Sequence, residues 1–160
     1  MAMEIKVLDP SECSDLELNE FELLVSGGGE VDNRGLRWRI LNADKLIFII
    51  DGNCVAVGAI KNPETPYKNN VFIKAGLGEA NCYRLELGWL YVSEKDRGKG
   101  YAKAIMATII KNLNGQSSFA TTRADNKAMH HLFETFGYKN VGNPYKSEHG
   151  DHFLVLYTKS

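Results

Sequence analysis

The sequence predicts a mixed α/β domain, and three observations predict it. Residues 46–50 and 54–60 are β-branched runs on either side of Asp51-Gly52-Asn53. That is a hairpin signal, because Asp-Gly tolerates the positive φ of a tight turn. Residues 83–92, YRLELGWLYV, form the most strand-like stretch and lead through DRGKGYAKAI into a helical run. In that run Ala102, Ile105, Met106, Ile109, Ile110 and Leu113 keep the three-and-four spacing of an amphipathic helix over 98–113.

The other elements follow in order. Residues 3–8 alternate weakly and read as a short strand stopped by Asp9-Pro10. Ser14 to Glu17 is S-x-x-E, a capping-box signature. Leu16, Phe21, Leu23 and Leu24 then mark a helix that should end near Val25, since Gly27-Gly28-Gly29 continues it only at a cost. Residues 34–43 read as a second, shorter helix; Trp38 among aliphatics is more often core, with stacking on a substrate as the other reading. The connection 61–82 holds two prolines and suggests only a short helix near 71–75; a connection that long in a small domain is usually functional. Residues 119–122 read as a strand. Asn126 can cap a helix whose apolar face is Met129, Leu132, Phe133 and Phe136, and Gly137 can end it. Residues 138–141 and 152–157 are the last strands. The order is β-α-α-β-β-β-α-β-α-β-β, with no repeat or linker, so a single domain is expected over residues 1–160.

Composition narrows the function. Lys plus Arg is 19 against 20 for Asp plus Glu, which gives no support to a nucleic-acid or anionic-membrane binder. Cys13, Cys54 and Cys82 lie far apart without CxxC spacing, which speaks against a disulfide framework or zinc cluster and fits a reducing compartment. The N-terminus is too polar for a signal peptide, and no apolar run approaches the ~20 residues of a membrane span. The expected location is the cytoplasm.

Arg97-Gly98-Lys99-Gly100-Tyr101-Ala102 stands between the strongest strand and the strongest helix. The first N–H groups of a helix lack intrahelical acceptors and carry partial positive charge, and glycines let an anion approach the backbone closely. A plain turn would use the same glycines. Two phosphate motifs are excluded. No Gly-Lys is followed by Ser or Thr, as a P-loop requires, and Lys103 occupies the place of the third glycine of a Rossmann loop.

The pattern R/Q-x-x-G-x-G/A is met by Arg97, Gly100 and Ala102. Here the chain resembles the GNAT superfamily of acyl-CoA-dependent N-acyltransferases, most strongly over 86–138, and the element order agrees along the whole length. The resemblance implies a mixed, mostly antiparallel sheet flanked by helices. It also implies that Arg97, Gly98, Lys99, Gly100, Tyr101 and Ala102 take the pyrophosphate of acetyl-CoA, the co-substrate. The backbone of Leu90, Tyr91 and Val92 would pair with the pantetheine arm, and one N–H there would polarise the thioester carbonyl. Gly88 would mark the bulge that opens this strand. Glu86, six residues before Val92, stands where several members carry a general base, which an ammonium acceptor needs. A solvated strand residue, or one paired with Arg84 or a loop lysine, is the alternative reading of Glu86.

NKAMHHLFETFGY over 126–138 resembles the second signature of the family. Asn126 would face the coenzyme arm, and Phe133 stands where many members place the tyrosine that protonates the leaving thiolate. Phe133 has no proton to give. His130 and His131 cannot share one helix face, His149 and His152 sit near a late turn, and no third ligand suggests a metal. In this family the acceptor pocket is walled by segments equivalent to 27–39, 61–82 and 141–152. Those hold Glu30, Asp32, Arg34, Arg37, Trp38, Arg39 and Tyr67 here. Arg37 and Arg39 would suit an anionic acceptor, or would simply face water. The expected activity is acetyl transfer to a primary amine, of a small molecule or a protein, by direct attack in a ternary complex. A CoA-binding regulatory or interaction module with lost catalysis is the other reading. Dimers of the family often use the late β-rich edge, so a homodimer is compatible.

Overall fold

In the computed structural model, residues 3–28, 32–78 and 82–160 are described. The strands form a seven-stranded, mostly antiparallel sheet of order β1-β2-β3-β4-β5-β7-β6, with helices flanking it. The chain divides into two compact units, Met1–Lys61 with Leu87–Asn112, and Asn62–Glu86 with Leu113–Ser160.

The first unit holds β1 (Glu4–Leu8), β2 (Lys45–Asp51) and β3 (Asn53–Lys61). It also holds the later part of β4 (Leu85–Val92) and the helices α1 (Asp15–Gly27), α2 (Leu36–Leu41) and α4 (Tyr101–Leu113). The β2–β3 hairpin turns at Gly52, φ +78°, as Asp-Gly predicts. The capping box forms. Ser14 Oγ accepts from the Glu17 N–H at 3.1 Å, and Glu17 Oε1 accepts from the Ser14 N–H at 2.9 Å. Helix α1 runs two residues past the expected end, to Gly27; Gly29 lies outside the described residues. Phe21 sits at the centre of the core, edge-on to Phe48 at 5.5 Å and to Trp89 at 6.1 Å between ring centroids. Trp38 is not in this core; it is 55% exposed. Leu36 and Ile40, four apart, take the buried face of α2, and Trp38 lies about half a turn away from both.

The second unit holds α3 (Thr65–Lys74), the start of β4, β5 (Ser118–Arg123), α5 (Lys127–Thr135), β6 (Lys139–Lys146) and β7 (Phe153–Lys159). Strand β4 runs parallel to β5 through two residue pairs, Leu85 with Ser118 and Glu86 with Phe119. Helix α3 is longer than the short helix expected at 71–75, and Pro66 in its first turn is compatible with it because the N–H it lacks has no intrahelical partner there. Phe72 of α3 stacks on Tyr83 and meets Phe119 edge-on, at 5.4 and 5.3 Å. Asn126 caps α5, its side-chain oxygen accepting from the Met129 N–H at 3.1 Å. Gly137, φ +89°, ends it, with the Tyr138 N–H returning to the Phe133 carbonyl at 3.0 Å.

Candidate active site

The glycine loop begins where β4 ends. A 3₁₀ turn, Glu94–Asp96, leads into Gly98 and Gly100, whose φ angles are +81° and +83°. Both need glycine for that conformation, and a Cβ built on either meets nothing within 4 Å, so the space over the loop is open. Gly100 then supplies the first helical acceptor of α4 through its carbonyl to the Ala104 N–H at 3.1 Å. The N–H groups just before that point lack helical acceptors and carry the positive end of a 13-residue helix. Arg97 and Lys99 add positive charge. The Arg97 Nε–H donates to the Val92 carbonyl at 3.2 Å, its guanidinium lies 5.6 Å from the Tyr91 ring centroid, and Lys99 Nζ lies 3.2 Å from Asp96 Oδ1. Open glycines, a helix N-terminus and two cations fit a pyrophosphate.

Two contacts fix the loop, and neither is readable along the chain. The Tyr101 hydroxyl donates to Asp51 Oδ2 at 2.6 Å, which ties the start of α4 to the hairpin turn. That hydrogen bond, with burial and the Asp51 charge behind it, pushes the Tyr101 phenol up to about 12. Gly58 of β3 lets α4 sit close, since a Cβ there would stand 2.5 Å from Ile105 Cγ2. Ala102 is half-buried in the first helical turn.

Leu90, Tyr91 and Val92 are half-buried at the end of β4. Next to Gly88, where a bulge is expected, the backbone takes an unusual conformation. Trp89 has φ +50°, a left-handed conformation that costs a non-glycine residue about 1–2 kcal/mol. Gly88 serves differently: a Cβ there would stand 2.6 Å from Lys61 Cδ, and Lys61 Nζ lies 4.8 Å from the Trp89 ring centroid.

Glu86 lies in the second unit and is 2% exposed, so it is not a solvated strand residue. Its Oε2 accepts from the hydroxyl of Tyr67, on α3, at 3.0 Å. Arg84, the partner considered from sequence, donates instead to Gln116 at 2.9 Å. Burial, and then the Glu86 charge, push the Tyr145 phenol well above its usual range, which keeps that hydroxyl protonated.

Phe133 is 1% exposed, its ring 5.1 Å from that of Tyr157 and 5.8 Å from that of Tyr138. His130 is locally bonded. Its Nε2 faces the carbonyls of Arg123 and Ala124 at 3.1 and 3.0 Å, so Nε2 carries hydrogen, and Nδ1 shares a hydrogen bond with the Tyr157 hydroxyl. Among the described residues no group of three His, Cys, Asp or Glu side chains is placed to hold a metal ion.

On 32–39, part of the segment expected to wall an acceptor pocket, neither Arg37 nor Arg39 simply faces water. Arg37 Nε donates to Glu22 at 2.6 Å and its guanidinium reaches Asn19. Arg39 donates to the carbonyls of Asp32 and Arg34. Glu30 lies outside the described residues.

A family model described as "Acetyltransferase (GNAT) family" matches residues 16–138. Comparison with curated protein sequences gave no match. Among solved structures, the chain is similar to an acyl-CoA N-acyltransferase from Pseudomonas aeruginosa, at 12% identity and a TM-score of 0.73, covering 99% of this chain and 100% of that one. It is similar to the ribosomal-protein-S18-alanine N-acetyltransferase from Escherichia coli, at 13% identity and 0.69, covering 98% and 92%. A NatC complex bound to Gag peptide and CoA matches at 14% and 0.74, covering 99% and 98%. These structural likenesses speak for the fold. With the match over 16–138, the chain belongs to the GNAT family of acyl-CoA-dependent N-acyltransferases. Among the described residues no helix is long and apolar enough to cross a membrane.

Proposed function

We propose that residues 1–160 form a single acetyltransferase domain that moves an acetyl group from acetyl-CoA to a primary amine by direct attack in a ternary complex. The observation that carries this is the open glycine loop at the N-terminus of α4, directly after β4. Bound acetyl-CoA supplies a thioester carbon for attack and a thiol that departs. The loop 97–102 holds the pyrophosphate, and the backbone of Leu90 to Val92 holds the arm and polarises the carbonyl. Glu86 receives the proton of the attacking amine. Asn126 flanks the arm while its side chain caps α5. Phe133 lines the coenzyme side without serving as an acid. Free thiols have a pKa near ~8.5, so departure of the thiol tolerates that loss. Cys13 and Cys54 are poorly suited to a covalent acyl-cysteine route, because burial pushes their thiols up to about 11, which keeps them protonated and weakly nucleophilic. The acceptor is an amine of a small molecule or protein, the location is the cytoplasm, and the open edge of β6 is available to a second copy of the chain.

The test is a thermal shift with CoA followed by thiol release from acetyl-CoA over a panel of amines. Stabilisation with turnover is expected. No stabilisation would sink the CoA site. Stabilisation without turnover on any amine would favour a CoA-binding regulatory module. The loop has its own check in Gly100→Val. A β-branched side chain at φ +83° costs about 1–2 kcal/mol, so the free loop should relax out of this conformation and CoA binding must restore it at that cost. Since 1.4 kcal/mol is tenfold in Kd, CoA affinity by calorimetry should fall roughly tenfold. An unchanged Kd would mean that the loop does not hold the pyrophosphate.

A further inference from the structure

The proton's route out of the acceptor follows from which of three side chains reaches water. Glu86 is 2% exposed and Tyr145 is 8% exposed. Tyr67 is 44% exposed, yet its hydroxyl rests on Glu86 Oε2 at 3.0 Å. Of the three, Tyr67 is the side chain that both extends to solvent and touches the carboxylate. The tyrosine is held there by the fold. It is the third residue of α3, next to Pro66, and the far end of that helix is fixed by the Asn143 N–H on the Ala75 carbonyl at 2.8 Å. A hydroxyl is both donor and acceptor, so it can receive one proton as it passes on another.

We propose that Tyr67 is the proton relay between the acceptor amine and Glu86, an assignment that rests on the acetyltransferase reading above. As the amine nitrogen gives up its proton, a lone pair on Tyr67 Oη takes it and the Oη–H proton moves to Glu86 Oε2. The phenol is restored, the carboxylate becomes a carboxylic acid, and one proton has moved in total. The relay explains how a carboxylate this deeply buried can serve an acceptor that must come from water.

The experiment compares wild type, Tyr67→Phe, Glu86→Gln and the double variant, with acetyl-CoA and the best amine from the panel. Tyr67→Phe keeps the ring and removes only the hydroxyl. The relay requires kcat to fall roughly 10- to 100-fold, less than full loss of a general base because water can partly substitute, while KM for acetyl-CoA stays unchanged. The double variant should be no slower than Glu86→Gln alone, because both residues serve one proton. Wild-type turnover in Tyr67→Phe would overturn the relay and leave the acetyltransferase reading standing. So would a double variant slowed by the product of the two single effects. A wild-type protein that binds CoA but acetylates no amine overturns both.

Discussion

Glu86→Gln is expected to slow acetyl transfer by ~10²–10⁴-fold, the range typical of a lost general base. Glutamine keeps the shape of the side chain and its carbonyl oxygen can still accept from Tyr67, so the buried position on β4 should stay filled. What it cannot do is take a proton. Proton removal belongs to the transition state, so kcat and kcat/KM should fall together. On the proposed reading CoA is held by the loop at 97–102, so its binding should be untouched, which a thermal shift with CoA checks in the same preparation. The loss should be greatest with acceptors that are ammonium ions at the assay pH and smallest with amines already neutral there. If turnover with a good acceptor and its pH profile both match wild type, Glu86 is a structural residue of β4 and the base lies elsewhere.

The features that sequence could and could not foretell divide along a physical line. Ser14, Glu17, Asn126 and Gly137 act within a few residues of themselves, and each forms the cap or stop its type predicts. Gly98 and Gly100 have the positive φ that makes glycine necessary. Tyr67 is another matter. It reaches Glu86 only because α3 folds 19 residues upstream of that strand position, and a proline-rich start hides the helix from a periodicity argument. The Tyr101–Asp51 bond spans 50 residues and needs the hairpin and α4 to be in place first. Trp38 shows the limit of composition: hydrophobic character suggested burial, but Leu36 and Ile40 already occupy the inner face of a helix less than two turns long. Gly88 was the natural place for a strand irregularity, yet the left-handed residue is Trp89, held in the core beside Phe21 and under the Lys61 ammonium. Packing overrides local preference there, as it does wherever the surroundings over-determine a strained residue.

Gly142→Ala should cost the most stability of any substitution considered, roughly 3–5 kcal/mol. Between Val141 and Tyr145 the β6–β7 register slips, and the extra residues of β6 bulge onto the end of α3. Gly142 has φ +69° there, and a Cβ would stand 2.4 Å from the Ala75 carbonyl oxygen and 3.0 Å from the Ala75 Cβ. A left-handed alanine costs about 1–2 kcal/mol by itself. The obstructing atom belongs to the backbone, so relief means moving α3, at an overpacking cost of about 1–3 kcal/mol. That movement also stretches the Asn143–Ala75 hydrogen bond, worth roughly 0.5–1.5 kcal/mol. For a chain of this size the thermal midpoint should drop by ~10 °C or more. Gly52→Ala is the matched control, since Gly52 has φ +78° with nothing within 4 Å of a built Cβ, and it should lose only the conformational part. The gap between the two variants isolates the docking of the β6 bulge on α3. Equal losses would mean that this docking contributes nothing. A large gap with slowed turnover would mean that the bulge also holds the helix that keeps Tyr67 on Glu86.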